Sequence, residues 1–321
     1  MKRFAVLSAI IAVGIGSGVV AQQGGFTLPP PDPIEQITDR LYKIEGGFAG
    51  NTIVFLREDG VVMVDTKTNG TGEAVMAEIR KVTDLPITTI VNTHAHPDHI
   101  GGNSWFRQAS PTVEVVMHEN AAAAAGTPAF GEPTLSDFTF SDRMTLGTGD
   151  DRVDLYYFGP GHTNGDTIVV FPTEKAMMLG DLMAWDMGGV VDTQSGGSAL
   201  EMPATLDGAV QALEGKIDIV IEGHAQLNSW SGFLRYVSYT HKIVDVARRG
   251  VAADMNYVEA YDAFFATDPA MAHYTGEEIF PGFEYGGTPK TRTLNNLYIA
   301  MAQLRGEDVG LVMGAPPAPG E

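Results

Sequence analysis

Apolar residues recur along this chain in short runs bounded by glycine, proline and polar turn residues, which is the pattern of β-strands. The turn at residues 58–60 joins two such runs and predicts a hairpin. Apolar positions at helical intervals predict an amphipathic helix over residues 72–83, and a further helix is expected over 203–213. Strands are predicted over residues 41–45, 51–57, 60–65, 87–91, 113–117, 153–158, 167–171, 176–179 and 217–221. Because strands and helices interleave in both halves, we expect an α/β fold of two packed mixed sheets with flanking helices, an αββα sandwich.

The chain is expected to contain one large domain with smaller flanking segments. Residues 22–39 begin with a glycine- and proline-rich stretch and are predicted to be a flexible leader. Residues 40–230 hold the predicted sandwich. Residues 231–321 are mostly helical, with helices expected at 230–249, 257–265 and 295–304. We expect this C-terminal segment to pack on the domain and cover a sheet, and the alternative is that it forms a wall of the substrate site.

The first residues have the features of a signal peptide. Lys2 and Arg3 precede a mostly apolar run over residues 4–20, which leads to the small residue Ala21 at a suitable cleavage position. We therefore expect residues 1–21 to be removed, with an uncleaved membrane anchor as the alternative. The chain has no cysteine and so cannot carry a lipoprotein anchor. The mature protein is predicted to be periplasmic or secreted, without stable membrane association.

The composition is strongly acidic. Asp and Glu number 40 against 20 Lys and Arg, a formal net charge of −20 that becomes −22 when the two N-terminal basic residues are removed. Such a charge disfavours binding to nucleic acid and to anionic membranes. The expected partner is therefore a small-molecule substrate, and the sequence carries no signal for an oligomeric state.

The densest chemical signal is the segment His94-Ala95-His96-Pro97-Asp98-His99, directly after a predicted buried strand. Three imidazoles and a carboxylate so close together are typical of a metal site, because neutral imidazole and carboxylate are both zinc ligands. His94 and His96 are two residues apart, so an extended backbone points both side chains to the same side. Asp98 and His99 follow where the chain turns toward a helix, and they can face a second ion.

Three more metal-competent residues, His162, Asp181 and His224, lie at or just after the ends of other predicted strands. Residues placed in this way gather at one rim of a sheet, so we expect them to join the histidine-rich segment in one site. Buried charged groups must be paired or coordinated, which favours metal binding over separate structural roles. The expected metal-binding residues are His94, His96, Asp98, His99, His162, Asp181 and His224.

At these positions the chain resembles the metallo-β-lactamase superfamily, whose pattern is H-x-H-x-D-H followed by a distant His, a distant Asp or Cys, and a last His. The resemblance covers roughly residues 40–230, and Asp65 matches the buried aspartate that supports the metal loop in the family. It implies the metallo-β-lactamase fold and two zinc ions. In the implied ligand arrangement, one ion is bound by His94, His96 and His162, the other by Asp98, His99 and His224, and both are bridged by Asp181.

The resemblance also implies a zinc-dependent hydrolase in which metal-bound hydroxide attacks a carbonyl group, with Asp98 as the catalytic residue that orients it. Hydrolysis of a β-lactam amide is the favoured reaction, because export would place the enzyme where β-lactams act. Well-known β-lactamases have Cys or Ser near position 181, and one branch has a carboxylate-binding Lys that is missing here between Lys175 and Lys216. These departures favour the alternative of a lactonase or a thioesterase similar to glyoxalase II. An iron-dependent sulfur dioxygenase and a non-enzymatic binding protein are the remaining alternatives.

Several residues near the expected site have two interpretations. Phe48 and Asn51 could belong to a flap over the site or to a simple glycine-rich turn. Trp185 could line the pocket or pack in the core. His118 is expected behind the metal ligands or on the surface, and His241 and His273 are expected in structural or solvent-exposed positions.

Overall fold

The computed structural model describes residues 28–127, 136–278 and 287–307, with 309, 310, 312 and 315–319, and the strands of this part form two sheets. In the first sheet, seven strands stand side by side in chain order. These strands are β1 (Glu35–Gln36), β2 (Leu41–Ile44), β3 (Thr52–Leu56), β4 (Val61–Val64), β5 (Ile87–Val91), β6 (Glu114–His118) and β7 (Phe138–Phe140). Pairing is antiparallel from β1 to β4 and parallel from β4 to β7, so the sheet is mixed.

The second sheet has six strands, and it is also mixed. They are β8 (Arg143–Leu146), β9 (Val153–Tyr156), β10 (Ile168–Phe171), β11 (Ala176–Met178), β12 (Ile219–Ile221) and β13 (Leu227–Ser229). These strands also lie in chain order, and only the pairing of β11 with β12 is parallel. The predicted architecture of two mixed sheets with flanking helices is confirmed, and so is the predicted hairpin of β3 and β4.

Helices flank both sheets. On the first sheet and its loops they are α1 (Gly72–Ile79), α2 (Pro97–Ile100), α3 (Asn103–Ala109) and α4 (Glu119–Ala125). On the second sheet they are α5 (Met202–Leu213), α6 (Trp230–Ala252), α7 (Tyr257–Phe264) and α8 (Pro289–Arg305). No helix in the described part of the chain is both long and apolar enough to span a membrane.

The two sheets pack face to face through an apolar layer, in which the rings of Phe55 on β3 and Phe171 on β10 lie 5.2 Å apart. The other face of the first sheet is covered by side chains of α1 and α3, such as Ile79 and Phe106. This double covering explains the unbroken apolar sequence of β4, since every residue of Val61–Val64 is buried.

The C-terminal helices cover the outer face of the second sheet. Phe233 and Ile243 on α6 and Leu297 on α8 share one buried cluster with Val170 and Val220 of the sheet. The described helices α6 and α8 therefore pack on this face of the sheet.

Helix α8 begins at Pro289, so the start predicted at residue 295 is wrong. The Thr288 hydroxyl accepts a hydrogen bond from the backbone N–H of Thr291 and caps the helix. Proline is favoured at the first helical position because its missing N–H would have no partner there. The glycine- and proline-rich sequence around Pro289 concealed this start.

Part of the predicted flexible leader, residues 22–39, belongs to the first sheet. Strand β1 pairs with β2, and Pro31 forms a bridge with Gly46. The leader is therefore paired with the sheet at its C-terminal end. The predicted signal peptide, residues 1–21, and residues 22–27 lie outside the described residues, and the domain boundaries remain predictions.

Candidate metal centre

The seven expected metal-binding side chains meet at one end of the sandwich, on loops that follow strands of both sheets. The first sheet contributes the loop after β5, which leads into α2 and carries His94, His96, Asp98 and His99. From the second sheet, His162 lies between β9 and β10, Asp181 in a short 3₁₀ turn after β11, and His224 between β12 and β13. The site therefore spans the junction of the two sheets.

Asp65 organises the loop after β5. Its carboxylate accepts hydrogen bonds from the backbone N–H of Thr93 at 2.8 Å, from the hydroxyl of Thr93 at 2.7 Å and from Nδ1 of His99 at 2.8 Å. Asp65 is fully buried and its φ of 58° is a left-handed conformation that is uncommon outside glycine. The expected role of Asp65 as the hydrogen-bonding support of the loop is confirmed.

In the first group of the site, His94, His96 and His162 each offer one ring nitrogen, and these atoms lie within 4.8 Å of one another. The opposite nitrogens are engaged elsewhere. Nε2 of His96 donates to the carboxylate of Asp192 at 2.9 Å, and Nδ1 of His162 donates to the carbonyl of Val190 at 2.9 Å. Because a neutral imidazole has one donor and one acceptor, these contacts leave lone pairs on the nitrogens that face the site.

His94 is oriented in the same way. The Thr93 hydroxyl donates to Asp65, so it accepts from Nδ1 of His94, which lies 3.0 Å away. Nε2 of His94 is then a buried atom without a hydrogen-bond partner among the described residues. Such an atom is costly unless something else binds it, and a metal ion does so.

In the second group, Asp98, His99 and His224 also offer ligand atoms within 4.8 Å of one another. Nε2 of His99 lies 3.6 Å from the Asp98 carboxylate and 3.4 Å from Nε2 of His224. The Asp98 carboxylate lies 3.3 Å from Nε2 of His224. Two imidazole nitrogens and a carboxylate therefore converge on one point.

Asp181 lies between the two groups. One carboxylate oxygen is 3.3 Å from Nε2 of His99, while the other is 3.4 Å from Nε2 of His224 and 3.8 Å from Nε2 of His162. Together with His94 and His99 it forms a third cluster of ligand atoms. All seven side chains predicted for the site are thus brought together, with Asp181 in the bridging position.

The two groups differ in their electrostatics. Burial and the nearby His96 lower the pKa of His162 to about 4, and burial with the nearby His99 lowers that of His94 well below its usual range. Burial alone would also lower the pKa of His224, but the carboxylates of Asp181 and Asp98 raise it to about 9. The first group is therefore a set of neutral ligands, and the second is an acidic set that favours positive charge.

These features fit divalent metal ions. The first group has the all-imidazole donor set of zinc sites, and the second combines imidazole with carboxylate. The carboxylates of Asp98 and Asp181 favour the protonated form of His224. A metal ion can replace this proton, because metal binding displaces protons from its ligands. The inward lone pairs and the orphaned Nε2 of His94 complete the fit.

Asp192 is the residue at this site that the sequence interpretation missed. It is buried, and besides His96 it accepts hydrogen bonds from the backbone N–H groups of Gln194 and Ser195 and from the Ser195 hydroxyl. The short turn that it caps holds the carboxylate rigidly behind the imidazole. The Asp-x-x-Ser sequence indicates such a cap, but nothing local relates it to His96, which lies far away in the sequence.

We expect Asp192→Asn to weaken metal binding by the first group. The amide can still accept from His96, but it carries no charge to hold the proton on Nε2, and partners of this kind contribute about 10- to 100-fold to metal affinity. Competition with a chelating dye measures the effect. Asp207→Asn is the matched control, since Asp207 pairs with His241 at 3.0 Å on the surface. Equal zinc affinity in the Asp192→Asn and Asp207→Asn proteins would contradict the assignment.

Lys67 anchors the glycine-rich loop of residues 46–50 beside the site. Its buried ammonium donates to the carbonyl oxygens of Gly46 at 3.0 Å and Gly50 at 2.7 Å, and burial lowers its pKa to about 7. Gly50 is pressed against the imidazole of His99, because a Cβ at this position would lie 2.3 Å from a ring carbon. The loop is therefore fixed in contact with a ligand.

The two residues that were considered for a flap differ in environment. Phe48 lies at the tip of the loop with half of its surface exposed. Asn51 is fully buried, and its side-chain amide donates to the carbonyl oxygens of Glu222 and Ala225. Asn51 thus ties the first sheet to the loop that carries His224, whereas Phe48 exposes half of its surface to solvent.

Of the other histidines, His118 is buried, so the surface position considered for it is wrong, and His241 and His273 are partly exposed. His118 is buried at the end of β6, where its side chain caps helix α4. His241 on α6 pairs with Asp207, and His273 pairs with Asp186 at 3.2 Å. None of the three belongs to a group of converging ligand atoms in the described part of the chain.

Comparisons with known proteins agree with this picture. A family model described as the metallo-beta-lactamase superfamily matches residues 46–224. The chain is 27% identical over 163 residues to a protein named metallo-beta-lactamase type 2 from Elizabethkingia meningoseptica, an alignment that covers 47% of this chain and 62% of that relative, less than two thirds of its length. A protein of the same name from Bacteroides fragilis is 25% identical over 228 residues, which cover 66% of this chain and 85% of the relative.

Among solved structures, a metallo-beta-lactamase from Pontibacter korlensis is similar with a TM-score of 0.56 and 21% sequence identity. At this identity the likeness concerns the fold alone. The match covers 99% of that structure but 66% of this chain. A substantial part of this chain therefore has no counterpart there, and the C-terminal helices α6 to α8 all lie beyond the region that the family model matches.

Proposed function

Because this chain belongs to the metallo-β-lactamase superfamily and gathers seven metal-competent side chains in one site, we propose that it is an exported zinc-dependent hydrolase that opens β-lactam amides. The convergence of these side chains in two adjoining groups is the observation that carries the proposal. Family membership and the His/Asp groups already support a metal-dependent hydrolase. The zinc ions, the substrate and the export are the parts that we propose.

In this proposal His94, His96 and His162 would hold one zinc ion and Asp98, His99 and His224 would hold the other, with the Asp181 carboxylate between the two groups. Zinc ions bound there supply Lewis acidity that polarises a carbonyl group and activates water for attack. Hydrogen bonds fix the ring orientation and tautomer of four of the histidines: Asp192 binds His96, Asp65 binds His99, Thr93 binds His94 and the Val190 carbonyl binds His162. These ligands are therefore organised before any ion binds.

Asp98 is the proposed catalytic residue. Its side chain is 37% exposed, the most open of the ligand groups, so it faces the side from which water and substrate arrive. Burial would raise the pKa of Asp98, but the charges of His99 and His224 lower it well below its usual range. The carboxylate therefore stays ionised at neutral pH, where it can orient a water molecule and accept its proton.

A β-lactam is the favoured substrate for two reasons. The two relatives described above are named metallo-beta-lactamase type 2, and the predicted signal peptide would place this protein outside the cytoplasmic membrane, where β-lactams act. The exposed ring of Phe48, on the loop whose Gly50 packs against His99, offers apolar contact to such a small molecule.

The proposal is tested with a chromogenic cephalosporin. We expect the zinc-loaded protein to hydrolyse it measurably faster than the His96→Ala protein, which serves as the blank. A protein that holds two zinc ions per chain and shows no turnover above this blank would exclude the β-lactam.

A lactone or a thioester is the second candidate substrate, and Asp181 is the observation that favours it. In the resemblance described above, a bridging aspartate belongs to the lactonases and thioesterases, whereas cysteine belongs to efficient β-lactamases. The same zinc-loaded protein and the same blank, tested with a γ-lactone and a glutathione thioester, separate the candidates. Faster turnover of either compound than of the cephalosporin assigns the enzyme to this second group.

A further inference from the structure

The indole of Trp185 joins the metal centre to the C-terminal part of the chain. Trp185 follows the 3₁₀ turn that carries Asp181, and its ring stacks on the imidazole of His224 with centroids 4.3 Å apart and planes inclined by 21°. Its backbone N–H also points to the carbonyl oxygen of His224 at 3.4 Å. The last of the seven ligands therefore rests against this aromatic ring.

The backbone at Trp185 is in a conformation that needs support. Trp185 and Asp186 have φ values of 59° and 48°, in the left-handed region that side-chain-bearing residues seldom adopt. The hydrogen bonds that support it come from residues that lie later in the chain. The Asp186 carboxylate accepts hydrogen bonds from Asn228 at 2.9 Å and from Arg235 of α6 at 2.7 Å, and its N–H donates to the buried Glu222 carboxylate at 2.7 Å.

Arg292 of α8 makes the second contact with this indole. Its guanidinium carbon lies over the Trp185 ring at 5.6 Å from the centroid, within the range of a cation–π interaction. Arg292 is 1% exposed, and although burial lowers its pKa to about 10, the group is still a cation at neutral pH. Gly188 permits this approach, because a Cβ there would lie 3.2 Å from Cβ of Arg292 and 2.3 Å from the Tyr239 hydroxyl.

We propose that Trp185 and Arg292 are positioning residues for His224, so that the C-terminal helices, beyond the matched family region, help to build the second metal site. The guanidinium of Arg292 lies over the indole, and the indole sets the plane and tilt of the imidazole that faces Asp98 and Asp181. The inference rests on the proposed function, because it assigns these residues a role in binding the second ion. Helix α8 would then support a metal ligand in addition to covering the sheet.

The test compares binding of the two equivalents of Co²⁺ by the full protein and its variants, measured by calorimetry and by the visible spectrum of the bound ion. In Trp185→Leu and Arg292→Met we expect the equivalent bound by Asp98, His99 and His224, called the second equivalent whatever the order of filling, to bind about tenfold more weakly, as for other groups that orient a ligand. The other equivalent, called the first, is expected to bind unchanged. Trp185→Phe retains an aromatic ring and should recover most of the affinity. Trp230→Leu is the matched control, since Trp230 packs on Phe233 in the cluster that joins α6 to the second sheet.

Tryptophan fluorescence gives a second readout that a merely stabilising contact would not change. Because Trp185 stacks on His224, the second equivalent of metal should alter the emission of the wild-type protein. This change should be absent in Trp185→Phe, although Trp105 and Trp230 still emit. Thermal unfolding identifies variants that fail to fold, and Arg292→Lys replaces Arg292→Met if removal of the buried charge prevents folding.

The outcomes separate this inference from the proposed function. A wild-type protein that binds fewer than two ions overturns both. A second outcome overturns this inference alone. In it, the wild-type protein binds two ions and hydrolyses substrate, and Trp185→Leu and both Arg292 variants bind the second ion as tightly as the wild type. Selective weakening of the second equivalent, with Trp230→Leu unchanged, supports it.

Discussion

His96→Ala is expected to abolish hydrolysis and to reduce bound zinc from two ions per chain to about one. His96 provides one of three imidazoles in the first group, and its lone pair is aimed into the site by Asp192. Two remaining imidazoles make a poor zinc site, because zinc in proteins takes at least three protein ligands. We expect activity to fall by at least about a thousandfold, which corresponds to about 4 kcal/mol of transition-state stabilisation. Metal content by mass spectrometry and a steady-state assay measure the two effects.

His241→Ala is the matched control for this change. His241 also contacts a carboxylate, that of Asp207, but it lies on the exposed face of α6 with half of its side chain in solvent. Its loss should alter neither metal content nor turnover. If the His96→Ala protein retains both ions and full activity, the assignment of the metal centre is wrong.

Removal of both bound ions is expected to lower the melting temperature by about 20 °C. Each ion that binds only the folded chain stabilises it by about 4 kcal/mol when the concentration of the free ion is about a thousand times its dissociation constant. A change of 1 kcal/mol shifts the melting temperature of a domain of this size by about 2–4 °C. The site should respond strongly, because without a cation it leaves the carboxylates of Asp98 and Asp181 close together and the buried Nε2 of His94 unbound.

Calorimetric scans with and without a chelator measure this shift, and added zinc should restore the original value. The His96→Ala protein should show a smaller shift, because it is expected to lose one ion already. Identical melting temperatures for the chelated and zinc-loaded wild-type protein would show that the site does not bind metal in the folded state.

The sequence sufficed to predict the fold and the convergence of the ligand residues, because both depend on local patterns. Buried strands have unbroken apolar runs, and the predicted strand over residues 87–91 agrees with β5 residue for residue. Each metal-competent residue stands just beyond such a strand, and the ends of neighbouring strands meet at one edge. The short strands β1, β7, β8 and β13 were missed, since partly exposed edge strands lack that apolar signal.

The residues that orient the ligands could not be predicted in this way. Asp192 contacts His96, and Arg292 contacts Trp185, but each pair is joined only by the folding of distant segments. No spacing rule relates a residue on α8 to a turn after β11. Such contacts are decided by how α6 and α8 pack on the second sheet, through close approaches such as that of Arg292 at Gly188.

The division of the ligands between two sheets has a consequence for the order of assembly. The loop after β5 offers four ligand residues, but the other three lie on the second sheet, so neither sheet alone presents the complete set. A complete site exists only after the sheets have docked and Asn51 has joined the first sheet to the loop of His224. Metal would then bind after folding. Its stabilisation of the folded protein would mainly slow unfolding and would do little to accelerate folding.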